Sequence, residues 1–290
     1  MKYSVSSYSF QQKISAGAMT QLDTVRAAAE MGFDAIEFTE LKPVKAPSLE
    51  EQLAYADRIR ETAEQHKIEI VAYLVGANLY RGSAEEDDKE LARLRGQVEV
   101  AHRLGARILR HDVCYSERIG ERVIGFEAML PTMARHAREI TEYAASLGIR
   151  TCSENHGFVA QDSDRMERMY YAVGHSNYGL LVDVGNFACV DEASVSAVSR
   201  LAPLAIHVHA KDFHCYPFGT PKREDANPLV TRGCNHLYGC TIGEGDIPVA
   251  QCLAILKRAG YDGYVTVEYE GSEDCMLGIP RGLERLRSYE

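Results

Sequence analysis

The sequence predicts one α/β domain, a (β/α)8 TIM barrel spanning residues 1–290. Three observations lead there. Strand-like and helix-like segments alternate from end to end, with no composition break, low-complexity tract or flexible linker. Helix-to-strand joins recur as short glycine turns, Met31-Gly-Phe-Asp, Leu104-Gly-Ala-Arg, Leu147-Gly-Ile-Arg and Ala259-Gly-Tyr-Asp, in which glycine supplies a left-handed cap and a β-run starts at once. The length of 290 residues also suits a single barrel of this type.

The elements follow in order. A first strand is expected over Ser4–Phe10, then an amphipathic helix near Gln21–Met31. The second strand, Ala35–Thr39, places Ile36 and Phe38 on one face and Glu37 on the other, and the helix Leu49–His66 follows it. Apolar runs mark strands at Glu69–Val75 and Ala106–Val113, followed by helices Glu85–Leu104 and Phe126–Leu147. The fifth and sixth strands, Ile149–His156 and Tyr178–Val184, precede helices near Asp162–Val173 and Asp191–Leu201. The last two strands are Ala205–Lys211 and Gly263–Tyr269, with helices Pro248–Ala259 and Asp274–Arg287. One connection breaks the short-loop rule. Residues 213–247 separate the seventh strand from its helix, and a segment so long inside a compact domain reads as an ordered lid or subunit contact.

Composition narrows the function classes. Hydrophobic residues make up 46% and charged residues 26%, the balance of a globular chain with a large core. A net charge of −10 disfavours a nucleic-acid partner. No segment approaches a membrane helix or a signal-peptide core, so the chain is expected to be cytoplasmic and away from membranes. The eight cysteines include no Cys-x-x-Cys, and Cys152, Cys189 and Cys252 sit in apolar surroundings as small core residues.

Four strands in the second half end in groups that hold divalent metals: Glu154, Asp183, a histidine of His207-Val-His209, and a glutamate of Glu268-Tyr-Glu270. In a parallel barrel these ends converge on one mouth. Parity places Cys152, Glu154 and His156 on one face, and turns His207, His209, Lys211, Thr266, Glu268 and Glu270 inward if Ile206, Val208, Val265, Val267 and Tyr269 pack on helices. Parity cannot choose between His207 and His209, or between Glu268 and Glu270. Such a site suits a small polar molecule whose carbonyl is polarised so that the adjacent C–H becomes acidic. Lys211 can pair with a substrate oxygen or with developing negative charge, or form an ion pair with its neighbour Asp212. Glu37 reads as substrate-binding or as a solvated strand end, and His111 on the fourth strand joins the candidate substrate contacts.

His209-Ala-Lys211-Asp212, Ile242-Gly-Glu-Gly-Asp246 and Ala259-Gly-Tyr-Asp-Gly-Tyr ahead of Val267-Glu268 make nearly the whole chain resemble the xylose-isomerase-like TIM-barrel superfamily of sugar isomerases and epimerases. The resemblance to its D-tagatose 3-epimerase type implies one metal held by Glu154, Asp183, His209 and Glu268, with Glu154 and Glu268 also the acid/base pair. Mn²⁺ is the expected ion, and Mg²⁺, Co²⁺ and Zn²⁺ are also accepted by such ligands. The implied substrate is a ketose, keto-sugar or polyol reacting through an enediolate, and a homo-oligomer is compatible with this type.

Two departures qualify the resemblance. Where that type often has Asp-x-x-His after the sixth strand, this chain has Asp183-Val-Gly-Asn186, so Asn186 is expected to hydrogen-bond substrate rather than relay a proton. The arginine motif of that type after the strand-seven histidine is also missing. Glu154-Asn-His156 instead adds an imidazole as a further acid/base group, which resembles the C-glycoside-cleaving members of the related lyases that cleave 3-keto C-glycosides or dehydrate keto-sugars and inososes. A metal-dependent lyase is therefore the alternative, followed by a sugar-binding barrel without activity. The endonuclease IV branch is excluded, because the second and third strands end in Glu37-Phe-Thr-Glu and Tyr73-Leu-Val rather than histidines, and the charge is negative.

Overall fold

In a computed structural model, which describes residues 1–223 and 227–289, eight parallel strands close into a barrel. The strands are β1 (Lys2–Ser6), β2 (Ala35–Thr39), β3 (Glu69–Val75), β4 (Ile108–His111), β5 (Arg150–Glu154), β6 (Tyr178–Asp183), β7 (Ala205–Ala210) and β8 (Tyr264–Val267). Each pairs with its neighbours in sequence, and β1 closes the ring on β8 with Ser4 opposite Thr266. The surrounding helices are α1 (Gln21–Glu30), α2 (Leu49–His66), α3 (Ala84–Leu104), α4 (Phe126–Ser146), α5 (Ser163–Val173), α6 (Ser194–Leu201), α7 (Val249–Arg258) and α8 (Cys275–Arg287).

Local chemistry sets the boundaries. Thr20 and Ser48 start α1 and α2 with capping boxes closed by Asp23 and Glu51, which satisfies otherwise orphaned N–H groups. At the joins, Gly32, Gly105, Gly148 and Gly260 all take positive φ, a conformation in which a side chain is strained. The expected first strand is shorter than its pattern. Ser6 turns its hydroxyl onto the Tyr8 N–H and starts a 3-10 turn over Ser7–Phe10, which ends sheet pairing. The fifth strand likewise ends at Glu154, so Asn155 and His156 lie beyond the ladder where parity no longer applies.

Two cores result. The larger lies between barrel and helices and includes Ile36, Phe38, Val208, Val265 and Val267, as alternation predicts. A smaller cluster fills the barrel with Ala35, Val71, Ala72, Leu74, Cys152 and Leu181. Ile206 departs from the expectation and packs against this inner cluster. The β6–β7 register slips there, Leu180 facing Ala205 and Leu181 facing His207, and a bulge re-aims the side chain it skips.

The long connection after β7 is built. Asp212–Tyr216, His236–Cys240 and Leu229–Val230 form a three-stranded antiparallel sheet, while residues 224–226 of the expected excursion lie outside the described residues. Asp191 clasps this unit to the loop after β6, accepting from Thr231 Oγ1 at 2.7 Å, Gly233 N at 2.5 Å and Asn235 Nδ2 at 2.8 Å. Arg232 donates to Asp162 Oδ2 at 3.1 Å, tying it to the start of α5. Among the described residues, no helix is long and apolar enough to cross a membrane.

Candidate metal centre and active site

Glu154, Asp183, His209 and Glu268 come from the ends of β5, β6, β7 and β8, and each offers one ligand atom within 4.8 Å of all the others. All four are buried. His209 Nδ1 lies 3.8 Å from Glu154 Oε1, 3.9 Å from Asp183 Oδ2 and 3.6 Å from Glu268 Oε2. His209 Nδ1 and Asp183 Oδ2 are shielded from water and face the same space, with Lys211 Nζ 3.2 Å from Asp183 Oδ2. Three carboxylates crowded around one space shielded from water are costly unless positive charge lies between them. Three carboxylates and an imidazole are a donor set for a hard or borderline divalent cation, so the residues fit such an ion.

Each group is held by partners that aim it. Asp183 Oδ1 accepts from the backbone N–H of Gly185 at 2.8 Å and Asn186 at 3.0 Å, which leaves Oδ2 toward the cluster. Asn186 donates Nδ2 to Glu154 Oε1 at 2.9 Å, and Arg110 reaches Glu154 Oε2 at 2.5 Å. Lys211 Nζ is paired with Glu268 and lies 3.2 Å from both Asp183 Oδ2 and Glu270 Oε1. Burial and the neighbouring Glu268 and Glu154 push the Asp183 carboxyl up, to about 7, against the pull of Lys211. Burial disfavours the Glu268 charge too, but Lys211 and His209 outweigh it and hold that carboxyl well below its usual range.

Several expected substrate contacts fall elsewhere. Glu37 is neither a solvated strand end nor open to the mouth. It is fully buried, with Oε2 on His207 Nε2 at 2.7 Å and Oε1 2.8 Å from His209 Nε2. Both histidines direct Nε2 at one carboxylate, which leaves Nδ1 of His209 for the cluster. Burial alone would raise the Glu37 carboxyl, yet the two imidazoles bring it down to about 2. His207 is thus an interior histidine bonded through Nε2, while its buried Nδ1 has no hydrogen-bond partner. His111 is also interior. Its Nδ1 contacts the Asp112 carbonyl at 2.9 Å, its ring lies near Tyr178, and burial lowers its pKa. Asn186 spends its amide on Glu154 rather than pointing it at an open cavity. Lys211 does not pair with Asp212, whose carboxylate accepts the N–H groups of Phe213, Gly243, Gly245 and Ile247 and so anchors the Gly243-Glu-Gly turn.

Two residues had no sequence signal of their own. Arg110 and Asp112 flank His111 at the end of β4, both buried, with Arg110 NH1 3.2 Å from Asp112 Oδ1. Asp112 accepts Tyr115 OH at 2.5 Å and meets His156 Nδ1 at 2.9 Å. Burial opposes the His156 cation, but the hydrogen bond and charge of Asp112 prevail and raise its pKa. His156 is 43% exposed at its side chain, and its ring meets Tyr115 edge-on. Their roles become visible only once β4 lies beside β5, where Arg110 pairs with Cys152, two residues before Glu154.

Residues 25–289 match the family described as xylose isomerase-like TIM barrel, and the chain belongs to that family. It is 25% identical to an uncharacterised protein of Methanocaldococcus jannaschii over 95% of this chain and 86% of that one. D-psicose 3-epimerase from Clostridium cellulolyticum H10, solved with D-tagatose, superposes with a TM-score of 0.76 at 15% identity, covering 100% of this chain and 99% of the other. The IolI protein with a bound zinc atom gives a TM-score of 0.75 at 16% identity, covering 100% and 98%.

Proposed function

Starting from membership of the xylose isomerase-like TIM-barrel family, we propose that this protein is a divalent-metal-dependent isomerase or epimerase of a ketose, keto-sugar or polyol. The observation that carries the reading is the convergence of Glu154, Asp183, His209 and Glu268, each buried and offering one ligand atom within 4.8 Å of the others. These four residues would hold the ion, with Mn²⁺ the first choice and Mg²⁺, Co²⁺ or Zn²⁺ alternatives. When bound, the ion supplies Lewis acidity that makes the C–H beside a substrate carbonyl easier to ionise.

The chain's own residues then do the rest. Glu154 and Glu268, from β5 and β8, form a carboxylate pair that can take a proton at one face of the substrate and return one at the other. Asn186 and Arg110 fix both oxygens of Glu154, so its direction is set before substrate arrives. Lys211, beside Glu268 and Asp183, offers a cation to the oxygen that gains charge as the enediolate forms. The decisive experiment is turnover in D2O by metal-reconstituted protein on a panel of ketoses. Deuterium at one carbon of the recovered epimer, lost with EDTA and restored by Mn²⁺, is expected. Turnover without label would remove the glutamate pair from the mechanism.

One observation favours a second reading, a metal-dependent lyase acting on a keto-glycoside, keto-sugar or inosose. Asp112 holds His156 by Nδ1, two residues beyond Glu154, and this partly exposed imidazole is a third proton-handling group that an epimerase working with two glutamates has little use for. In a lyase, such a group protonates or deprotonates the departing fragment.

A further inference from the structure

Glu270, the second carboxylate at the end of β8, contributes no ligand atom to the cluster of Glu154, Asp183, His209 and Glu268. Its backbone is nevertheless held in a set place. The preceding Tyr269 donates its N–H to Ser9 Oγ at 2.8 Å and its hydroxyl to Glu273 O at 3.0 Å. The strand His236–Cys240 of the sheet after β7 presses from the other side, where a Cβ at Gly239 would collide with the Glu270 carbonyl. The Glu270 side chain is 25% exposed, whereas Asp183 and Glu268 are buried. Its Oε1 accepts from Lys211 Nζ at 3.2 Å.

Lys211 therefore sits among three carboxylates. Its ammonium is paired with Glu268 and lies 3.2 Å from both Asp183 Oδ2 and Glu270 Oε1. Two of the three are candidate ligands and the third is not. Glu154, the remaining carboxylate of the cluster, has its own cation in Arg110. Three carboxylates around one ammonium leave a surplus of two negative charges, which one divalent cation cancels. With Glu270 neutral, the same cation would leave a net positive charge in a buried site, and uncompensated buried charge is costly. Lys211 would then have only ligand oxygens to pair with, and a cation sharing those oxygens meets like charge at short range.

The lysine stem limits where the ammonium can go. A Cβ at Gly185 would stand 2.5 Å from Lys211 Cγ and 2.9 Å from its carbonyl, so the side toward the loop after β6 is closed. On the Glu270 side a hydrogen bond already exists, and the partial exposure of that carboxylate lowers the desolvation cost of the pair.

We propose that Glu270 is a positioning residue of the metal centre. It draws the Lys211 ammonium away from Asp183 and Glu268 when a divalent cation occupies the ligand set, and so raises the affinity for that cation without touching it. The inference rests on the reading of Glu154, Asp183, His209 and Glu268 as ligands. It divides the Glu268-Tyr-Glu270 motif into a ligand and a keeper of the lysine.

The test is competition titration of Mn²⁺ against the full chain and its variants in a double-mutant cycle. Glu270→Gln should weaken Mn²⁺ binding about tenfold, the scale of losing a partner that supports a ligand set from behind. Lys211→Met should tighten binding, because it removes the competing cation. In the Lys211→Met background, Glu270→Gln should change the affinity by less than about threefold, a coupling absent if the carboxylate acted on the ion through its charge alone. If Lys211→Met melts early, Lys211→Gln, which still donates to these oxygens without a charge, takes its place in the cycle. Equal losses from Glu270→Gln in both backgrounds would overturn the proposal, as would weaker binding by the Lys211 variant. Wild-type binding that Asp183→Asn abolishes but Glu270→Gln leaves unchanged sinks only the role of Glu270. No Mn²⁺ binding by the wild type sinks the metal reading and this inference with it.

Discussion

Replacing Glu37 with Gln tests how the candidate metal histidine is aimed. The carboxylate has no exposure and serves two imidazoles, with contacts of 2.7 Å to His207 Nε2 and 2.8 Å to His209 Nε2, and Thr266 Oγ1 lies 3.3 Å away. Two acceptor oxygens fix two Nε2–H tautomers. An amide has one acceptor oxygen and an NH2, so one histidine must meet a donor. If that histidine is His209, its proton moves to Nδ1 and blocks the lone pair that faces the cluster. If it is His207, His209 keeps its tautomer but loses the basicity that a carboxylate confers. Either outcome lowers metal affinity by about 10–100-fold. Loss of one charge-assisted hydrogen bond in this buried setting also costs about 1.5–3 kcal/mol of stability. The sign of the pH dependence follows from the depressed carboxyl. Relative to its ordinary 4.5, a folded value of about 2 means the contribution is full above about 4.5 and is lost as pH falls toward 2. Competition titration of Mn²⁺ and urea unfolding of the metal-free protein give both numbers. A Glu37→Gln variant within about threefold of wild type in Mn²⁺ affinity would refute the assignment of His209 Nδ1 as a ligand held by Glu37.

Asp183→Asn keeps the Oδ1 acceptor for Gly185 and Asn186 but removes the charge, so elemental analysis should find no bound metal in a protein whose far-UV circular dichroism is unchanged. Metal retained would place the sixth-strand ligand elsewhere. His156→Ala should cost an epimerase about tenfold in turnover, whereas a lyase that uses it as general acid or base should lose about 10²–10⁴-fold. Assays on a free ketose and a 3-keto-glycoside read the difference, and a large loss confined to the glycoside would favour the lyase. Asp112 sits below its usual 3.8, because Arg110 and the His156 hydrogen bond outweigh burial. The stability gap between wild type and Asp112→Asn should therefore be widest above pH 3.8 and narrow in more acid solution, and a pH-independent gap in urea melts would discount the ion pairs. Gly185→Ala puts a Cβ 2.5 Å from Lys211 Cγ and 2.9 Å from its carbonyl, so about 1–3 kcal/mol of destabilisation and weaker turnover are expected. An unchanged melting temperature would show that Lys211 can move aside freely.

The sequence by itself determined the barrel, because its signals are local. Alternating Ile36 and Phe38, the capping residues Thr20 and Ser48, and glycines that need positive φ each act within a few residues, and eight repetitions leave one closed parallel arrangement. The strand ends that offer candidate ligands were legible for the same reason, as all strands of a parallel barrel end on one side, but the choice of His209 over His207 and of Glu268 over Glu270 came from the family resemblance. Contacts between strands distant in sequence were not legible. Glu37 on β2 reaches His207 and His209 on β7 across the barrel, 170 residues away in sequence for the first of them, which turns an apparent mouth residue into an interior anchor. Ile206 reverses its facing at a bulge created by the β6–β7 register, and His156 leaves the parity rule where β5 ends. Arg110 and Asp112 acquire their roles only beside Glu154 and His156. Strand periodicity states which face a side chain takes, while shear and closure decide which distant group it meets, and only the folded barrel contains that information.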